Sequence, residues 1–338
     1  MSILKALMGA SSSVYRKIAL INIAGNIEIG TFDISIYSVP DITIITGLAT
    51  VDFTSIKFSH DNSMIAATTR YGIYLYLVSD GSLIYSDVSL YLYPSALEVE
   101  VDFSADNTLL LYPVAVGADY VLNIKKLYIP TLTVTTSASS ITSNSSAAAI
   151  KTLFALAETA VLFEYEPPLV YTGRVLTLPL DLTTSATFLS ATATVDPVRA
   201  SSFMVDRVNN LYYWLVPSTV TTGKVLIYDI ALTLVATILD IYLIAGGGTI
   251  IPTTLDSRVP NIVGFVSSKG IWLFNSVTLK FAYKVDYIQG VQASLNTKEH
   301  ILMSDAFLST QEIYSGDFMV NKLALPNTSL GLTTISNY

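Results

Sequence analysis

The chain has 338 residues, of which 51% are apolar and only 13% charged, against about a quarter charged in an average soluble chain. Its 26 acidic and 18 basic residues leave a net charge of −8, with no basic cluster beyond Lys125-Lys126; nucleic acid is therefore disfavoured as a partner, because neutralising phosphates needs a basic face. The absence of cysteine removes disulfides, thiolate metal sites and cysteine nucleophiles together.

A mean hydropathy of +0.55 raises the question of a membrane span, and the best candidate runs from Val225 to Ile251. Asp229 and Asp240 interrupt it, three threonines dilute it and Gly246 to Gly248 break it, whereas a spanning helix needs about 20 nearly uncharged apolar residues. No membrane span is expected. The N-terminal MSILKALMGASSS is too short and interrupted for a secretory signal and is expected to form an arm or short helix.

After residue 14 the chain shows almost no helical spacing of apolar positions. Period-two and short continuous apolar runs recur instead, rich in Val, Ile, Thr and Tyr and bounded by Gly, Asn, Asp or Pro; this is the pattern of strands. The stretch FSHDNSMIAATTRYGIYLYLVSDGSLIYS parses as strands over 55–59, 63–69, 73–78 and 82–87, with turns at His60-Asp61-Asn62, Arg70-Tyr71-Gly72 and Ser79-Asp80-Gly81. Asn and Gly at these points supply the positive φ that tight turns demand. Four such strands form one small sheet, which needs neighbours to be stable.

The neighbours are visible as a repeat. Val101 to Leu111 restates Ile56 to Ala66, and Ile262 to Phe274 restates Ile65 to Tyr76 with one residue of slip. Taking the first hairpin turn as a marker gives Asn26, Asn62, Asn107, Glu158, Asn210, Asn261 and Glu299, at gaps of 36, 45, 51, 52, 51 and 38 residues. A recurring four-stranded unit of about 40 to 50 residues is the signature of a β-propeller. The Phe-Ser-x-Asp-Asn turn followed by a small-residue strand and an aromatic-rich one resembles the WD-repeat and YVTN-type propeller families, over residues 51–88 and less closely over 97–112 and 259–285. That resemblance implies a propeller of four-stranded antiparallel blades, and the seven markers make the expected count seven. The chain lacks the Gly-His and Trp-Asp dipeptides of WD repeats, so the side-chain network those residues build is not expected. A β-sandwich or two small β domains is the alternative, since both also show short strands at regular spacing. The expected organisation is an arm over 1–13, a single propeller domain over 14–326, and a tail or ring-closing strand over 327–338.

Two uncharged low-complexity stretches, 131–149 and 182–195, fall late in their repeats. They suit long outer strands or loops, and a Ser/Thr edge can also pair with another subunit. Glu98, Glu100 and Asp102 alternate, so on one continuous strand their carboxylates share a face and form a weak candidate cation site; a solvated face is the plainer reading. Glu164 and Glu166 form a second alternating acidic pair. The two histidines, His60 and His300, sit beside hairpin turns with no further ligands spaced around them. No nucleophile elbow, P-loop or paired zinc motif is present, so no catalytic residue and no cofactor is assigned.

The 21 tyrosines are the distinctive resource. Tyr74, Tyr76, Tyr212, Tyr213 and Trp214 are candidates for an interaction surface if exposed, and for packing between blades if buried. These features lead us to expect a non-catalytic scaffold that binds other protein subunits in a larger assembly. A virion or extracellular setting fits the Cys-free, Thr/Ser/Ala/Val-rich composition. The alternatives are a carbohydrate-binding or glycan-cleaving propeller, with glycans as partners, and a cytoplasmic peptide-binding adaptor of WD-repeat type.

Overall fold

The computed structural model describes residues 15–22, 26–33, 38–45, 53–69, 71–88, 98–116, 121–138, 141–142, 149–154, 159–166, 171–183, 186–193, 203–206, 209–217, 223–238, 262–267, 270–275, 280–286, 292–295, 301–305, 310–314, 322–325 and 329–335. Apart from one 3₁₀ turn at Ile129–Thr131, every regular element among them is a strand. The first sheet holds β1 (Tyr15–Asn22), β2 (Ile27–Asp33) and β3 (Ser38–Ile45); the second holds β4 (Phe53–Phe58), β5 (Met64–Thr69), β6 (Gly72–Leu77) and β7 (Leu83–Asp87). After β8 (Glu98–Glu100) comes the third sheet, with β9 (Asp102–Phe103), β10 (Leu109–Val116), β11 (Val121–Tyr128) and β12 (Thr133–Thr136), and with β13 (Ile141–Thr142) also on β11. The fourth holds β14 (Ala149–Phe154), β15 (Thr159–Glu166), β16 (Tyr171–Pro179) and β17 (Ala186–Ala193), and β8 lies parallel to β14. The fifth holds β18 (Phe203–Asp206), β19 (Leu211–Pro217), β20 (Gly223–Asp229) and β21 (Leu234–Ile238). The sixth holds β22 (Ile262–Ser267), β23 (Gly270–Asn275) and β24 (Lys280–Asp286); the seventh holds β25 (Gln292–Leu295), β26 (Ile301–Asp305), β27 (Thr310–Tyr314) and β28 (Lys322–Leu325). The last strand, β29 (Ser329–Ile335), returns to pair antiparallel with β1, Ile18 opposite Ile335, so the two ends of the described chain share the first sheet. It also adjoins β4 of the second sheet and β25 and β26 of the seventh.

Each of the seven sequence markers falls one or two residues before a strand: β2, β5, β10, β15, β19, β22 and β26. The echo between the second and sixth sheets needs no slip. Thr69 pairs with Gly72 and Ser267 with Gly270, and Met64 stands opposite Leu77 as Ile262 stands opposite Asn275. Met64, rather than Ile65, is therefore the counterpart of Ile262. Register is set by hairpin geometry, while an apolar run can be slid by one residue without losing its hydrophobicity.

Burial explains why the second strand of that repeat reads as a continuous apolar run. All six residues of β5 are buried, and alternate side chains enter different cores. Met64 and Ala66 pack with Val101, Phe103, Leu110, Tyr112 and Leu127 of the third-sheet segment. Ile65 and Ala67 pack with Ala19, Ile27 and Ile29 of the first sheet. Successive strand residues face opposite ways, so the second sheet is covered on both faces by its neighbours in chain order. A two-layer sandwich buries one face of each sheet; radially stacked blades bury both. The small residues Ala66 and Ala67 fit this close stacking.

The repeated Phe-Ser-x-Asp-Asn turn closes identically twice. Ser59 N–H donates to Met64 O (3.0 Å) and Asn62 N–H to Ser59 O (3.1 Å); Ser104 N–H donates to Leu109 O (3.0 Å) and Asn107 N–H to Ser104 O (2.9 Å). The Ser59 hydroxyl donates to Asp61 Oδ1 at 2.6 Å, as Ser104 does to Asp106 Oδ1 at 2.6 Å. Each carboxylate then accepts from the second residue on, Ser63 or Thr108. Asn62 and Asn107 take φ of 60° and 61°, the left-handed conformation that Asn tolerates best among residues with a Cβ. Burial pushes the Asp61 carboxyl up, but the bonds from Ser59 and Ser63 outweigh it and hold it below the ordinary value. The Ser104 and Thr108 bonds hold Asp106 low as well.

Candidate interaction surface

Polar groups between the second and third sheets are spent on holding the sheets together. At one end of that boundary Lys57 on β4 reaches Asp102 on β9 at 2.9 Å. Beside it, His60 N–H donates to Asn107 Oδ1 at 2.6 Å, and its Nε2 lies 3.2 Å from Phe103 O. Toward the outer strands, the buried Asp87 on β7 accepts from Lys125 Nζ at 2.8 Å and from the Tyr112 hydroxyl at 3.0 Å. Tyr112 and Tyr85 hydroxyls stand 2.9 Å apart in the same cluster. Burial, then the neighbouring Tyr85 and Asp87, drives the Tyr112 hydroxyl well above its ordinary value; burial also raises Tyr85. Both phenols therefore remain neutral donors. The third and fourth sheets are joined by Lys126 Nζ to Leu180 O and by Ala138 N–H to Leu182 O.

The candidate acids are distributed by this architecture. Glu98 and Glu100 belong to β8, which pairs with β14, whereas Asp102 begins β9 in the third sheet and is held by Lys57. The alternating triplet is thus split at Val101 between two sheets instead of lining one continuous strand. Glu164 stands at a register position opposite Arg174, and Glu166 opposite Thr172. His300 lies outside the described residues, while His60 serves the turn contact above. The Val225–Ile251 stretch holds most of β20 and all of β21, and no helix among the described residues is long and apolar enough to cross a membrane.

The aromatic candidates lie in the core. Tyr76 is buried and stacks on the half-buried Tyr74, ring centroids 6.4 Å apart and planes 16° from parallel. Burial and the adjacent Tyr74 raise the Tyr76 hydroxyl far above its ordinary value. Tyr212, Tyr213 and Trp214 on β19 are all buried, each adding large apolar area to packing.

Exposed large apolar side chains occupy another place, which the sequence reading did not single out. Leu83 and Val88 lie on and just after β7; Tyr128 and Leu132 flank the turn into β12; Ile230, Leu234 and Val235 lie on the turn into β21 and on that strand. These are the outermost strands of the second, third and fifth sheets and the hairpins leading to them. Tyr71, in the β5–β6 turn, is the exception among the exposed large apolar residues described. The turns into three outer strands carry a signal in the sequence, a 50-residue spacing of Leu-Thr pairs at Leu132-Thr133, Leu182-Thr183 and Leu232-Thr233. All three leucines take positive φ, 53°, 59° and 62°, each donating its N–H to the carbonyl three residues back; in the second sheet Gly81 (φ 72°) takes positive φ in a turn whose bond reaches four residues back, to Leu77 O. Each of the three turns is followed by an outer strand: β12, β17 and β21.

With both faces of the second sheet buried and the first and last strands joined, the chain has a β-propeller-type fold. Solved structures with similar folds agree. A functionally unknown protein from Desulfotomaculum acetoxidans DSM 771 matches at a TM-score of 0.64 and 12% identity, over 95% of this chain and 99% of that one. Nidogen, from a nidogen/laminin complex, matches at 0.51 and 8%, over 95% and 98%. The dihydro-heme d1 dehydrogenase NirN matches at 0.51 and 13%, over 95% of this chain and 75% of that chain. At these identities the likeness concerns the fold alone. No protein-family model matches the chain, and no curated protein matches its sequence.

Proposed function

We propose that this protein is a non-catalytic interaction scaffold: a seven-bladed propeller that binds other protein subunits along its outer rim within a larger assembly. The observation that carries this reading is the concentration of exposed large apolar side chains on outer strands and their turns. The grouping of Ile230, Leu234 and Val235 on one hairpin is the part of it most like an interaction site, since clustered exposed apolar residues mark such sites while single ones do not. The seven sheets among the described residues, and the return of β29 to β1, support the blade count and ring closure. Ring closure by a terminal strand removes a free sheet edge and gives a rigid platform.

Two further observations support a scaffold over an enzyme or a glycan binder. The buried carboxylates Asp87 and Asp102 are committed to lysines across a sheet boundary, which is structural work. The tyrosine and tryptophan cluster at Tyr212 to Trp214, which an exposed sugar platform would need at the surface, is core. Among assemblies, the Cys-free and charge-poor composition favours a virion component, because a surface with so few charges is best kept covered.

The test is the mass of the protein isolated intact from its native source under mild conditions. A large stoichiometric complex is expected, and its other members name the partners. A lone 36.6 kDa species would overturn the scaffold reading and return attention to glycan and peptide screens.

A further inference from the structure

The outer strands of three consecutive sheets share a property that distinguishes them from the rest of the rim. No Asp, Glu, Lys or Arg occurs from Leu127 to Ile150, from Leu182 to Val195, or from Ile230 to Leu239. These intervals contain β12, β17 and β21. Among the described residues each of these strands has a single ladder partner, β11, β16 and β20 respectively, so one edge of each has no strand paired to it among them. Natural sheets protect such edges with Lys, Pro or an inward charge, because an open edge templates pairing with another chain. Here the three strands contain none of these devices. The outer strand of the second sheet differs: Asp80 stands in its turn and Asp87 at its end.

Exposure on both strand faces adds a second observation. Leu234 and Val235 are adjacent on β21, point to opposite faces, and are 51% and 59% exposed. On β12, Thr133, Thr135 and Thr136 are exposed and only Val134 is partly covered. β12 and β21 are therefore largely exposed on both faces as well as along the edge.

We infer that this three-sheet rim sector, built on β12, β17 and β21, is a self-association face that pairs edge to edge with a second copy of the chain. The choice of a second copy rests on charge. Two molecules of net charge −8 repel least where the touching surfaces carry no charge, since salt screens the more distant charges, and this sector is the part of the described rim that meets the condition. It offers no charged patch to select an oppositely charged foreign partner. An antiparallel two-fold pairing centred between Val134 and Thr135 sets Thr133 of one copy opposite Thr136 of the other; cross-strand Thr pairs of this type are favourable, while like charges directly opposite are not. The inference rests on the scaffold reading and specifies one of its contacts.

The test uses the full-length purified protein in sedimentation-velocity runs over a concentration series. The native sequence is expected to show reversible mass growth beyond the monomer. Thr135→Lys with Val235→Lys, which place a lysine in two of the three edges, are expected to weaken association by about tenfold or more. Ser86→Lys on β7, outside the sector, is expected to leave association unchanged, and circular dichroism and thermal melts check that all variants fold. A native chain that remains monomeric throughout, or a folded double variant that associates as the native chain does, overturns the inference. If the purified chain is monomeric yet is recovered from its native source in a stoichiometric complex with other proteins, self-pairing fails and the scaffold reading stands. If it is also alone in its native source, both fail.

Discussion

Asp87 offers the sharpest test of how adjacent sheets are held together. Its carboxylate is 9% exposed, accepts from Lys125 at 2.8 Å and sits 3.0 Å from the fully buried Tyr112 hydroxyl. Removing one partner of a buried pair costs about 3 to 5 kcal/mol, because the other charge stays behind without compensation. The Lys125 side chain is 17% exposed, so some of its charge can rehydrate, and Asp87→Ala is expected at the low end, about 3 kcal/mol. Lys125→Met keeps the stem's packing and leaves the carboxylate with Tyr112, for an expected cost of about 2 kcal/mol. The double variant has no stranded charge and should cost about 3 kcal/mol, which makes the coupling energy about 2 kcal/mol. Urea unfolding of the native chain and the three variants measures the cycle. If each single variant costs under about 1 kcal/mol and the coupling is near zero, the pair behaves as an exposed surface ion pair. The account of a buried inter-sheet clasp would then be refuted.

The leucines at positive φ should respond with opposite signs. Leu132 is 45% exposed, so Leu132→Gly relieves the left-handed strain of about 1 to 2 kcal/mol while losing little packing, and the melting temperature should hold or rise. Leu182 is fully buried in the core between the third and fourth sheets, so Leu182→Gly should destabilise by about 2 to 4 kcal/mol. The turn carboxylates predict acid sensitivity: Asp61 and Asp106 have folded values below the ordinary 3.8, so their contribution is complete above that value and lost as pH falls through the lower folded one. Thermal melts across the acid range should show Asp61→Ala with Asp106→Ala less stable than the native chain at neutral pH, with the gap closing in strong acid. Finally, truncation after Pro326 removes β29 with its ladder to β1 and its contacts with the second and seventh sheets. Loss of the cooperative unfolding transition is expected, and an intact melt in the truncated chain would show that the closing strand is dispensable.

Much of the fold was legible in the residues. The four strands around Asp61 fell within about two residues of their predicted bounds, because alternation and turn chemistry act over a handful of neighbouring positions. Asn62 and Asn107 were readable as positive-φ sites for the same reason. The Leu-Thr turns escaped notice because leucine is a poor left-handed residue; Leu182 is tolerated there with its side chain sealed in the core. Gly72 was read as a turn residue, but its need is steric. A Cβ there would lie 2.3 Å from the Asp87 carbonyl oxygen, a clash between strands that no local pattern announces.

The sequence by itself determined an all-β chain, the position of its hairpins, the spacing of its repeat and a charge-poor surface. These follow from side-chain period, turn propensity and composition, all of which are local or additive. Only the tertiary structure decided that Tyr76, Tyr212, Tyr213 and Trp214 are core, that the acidic triplet divides between two sheets, and that Asp87 meets Lys125 from 38 positions away. It also showed that the uncharged stretches include the outer strands β12 and β17. Which face of a strand is covered, and which carboxylate finds a lysine, depends on how one sheet stacks on the next. That stacking joins residues whose separation along the chain carries no signal of their contact.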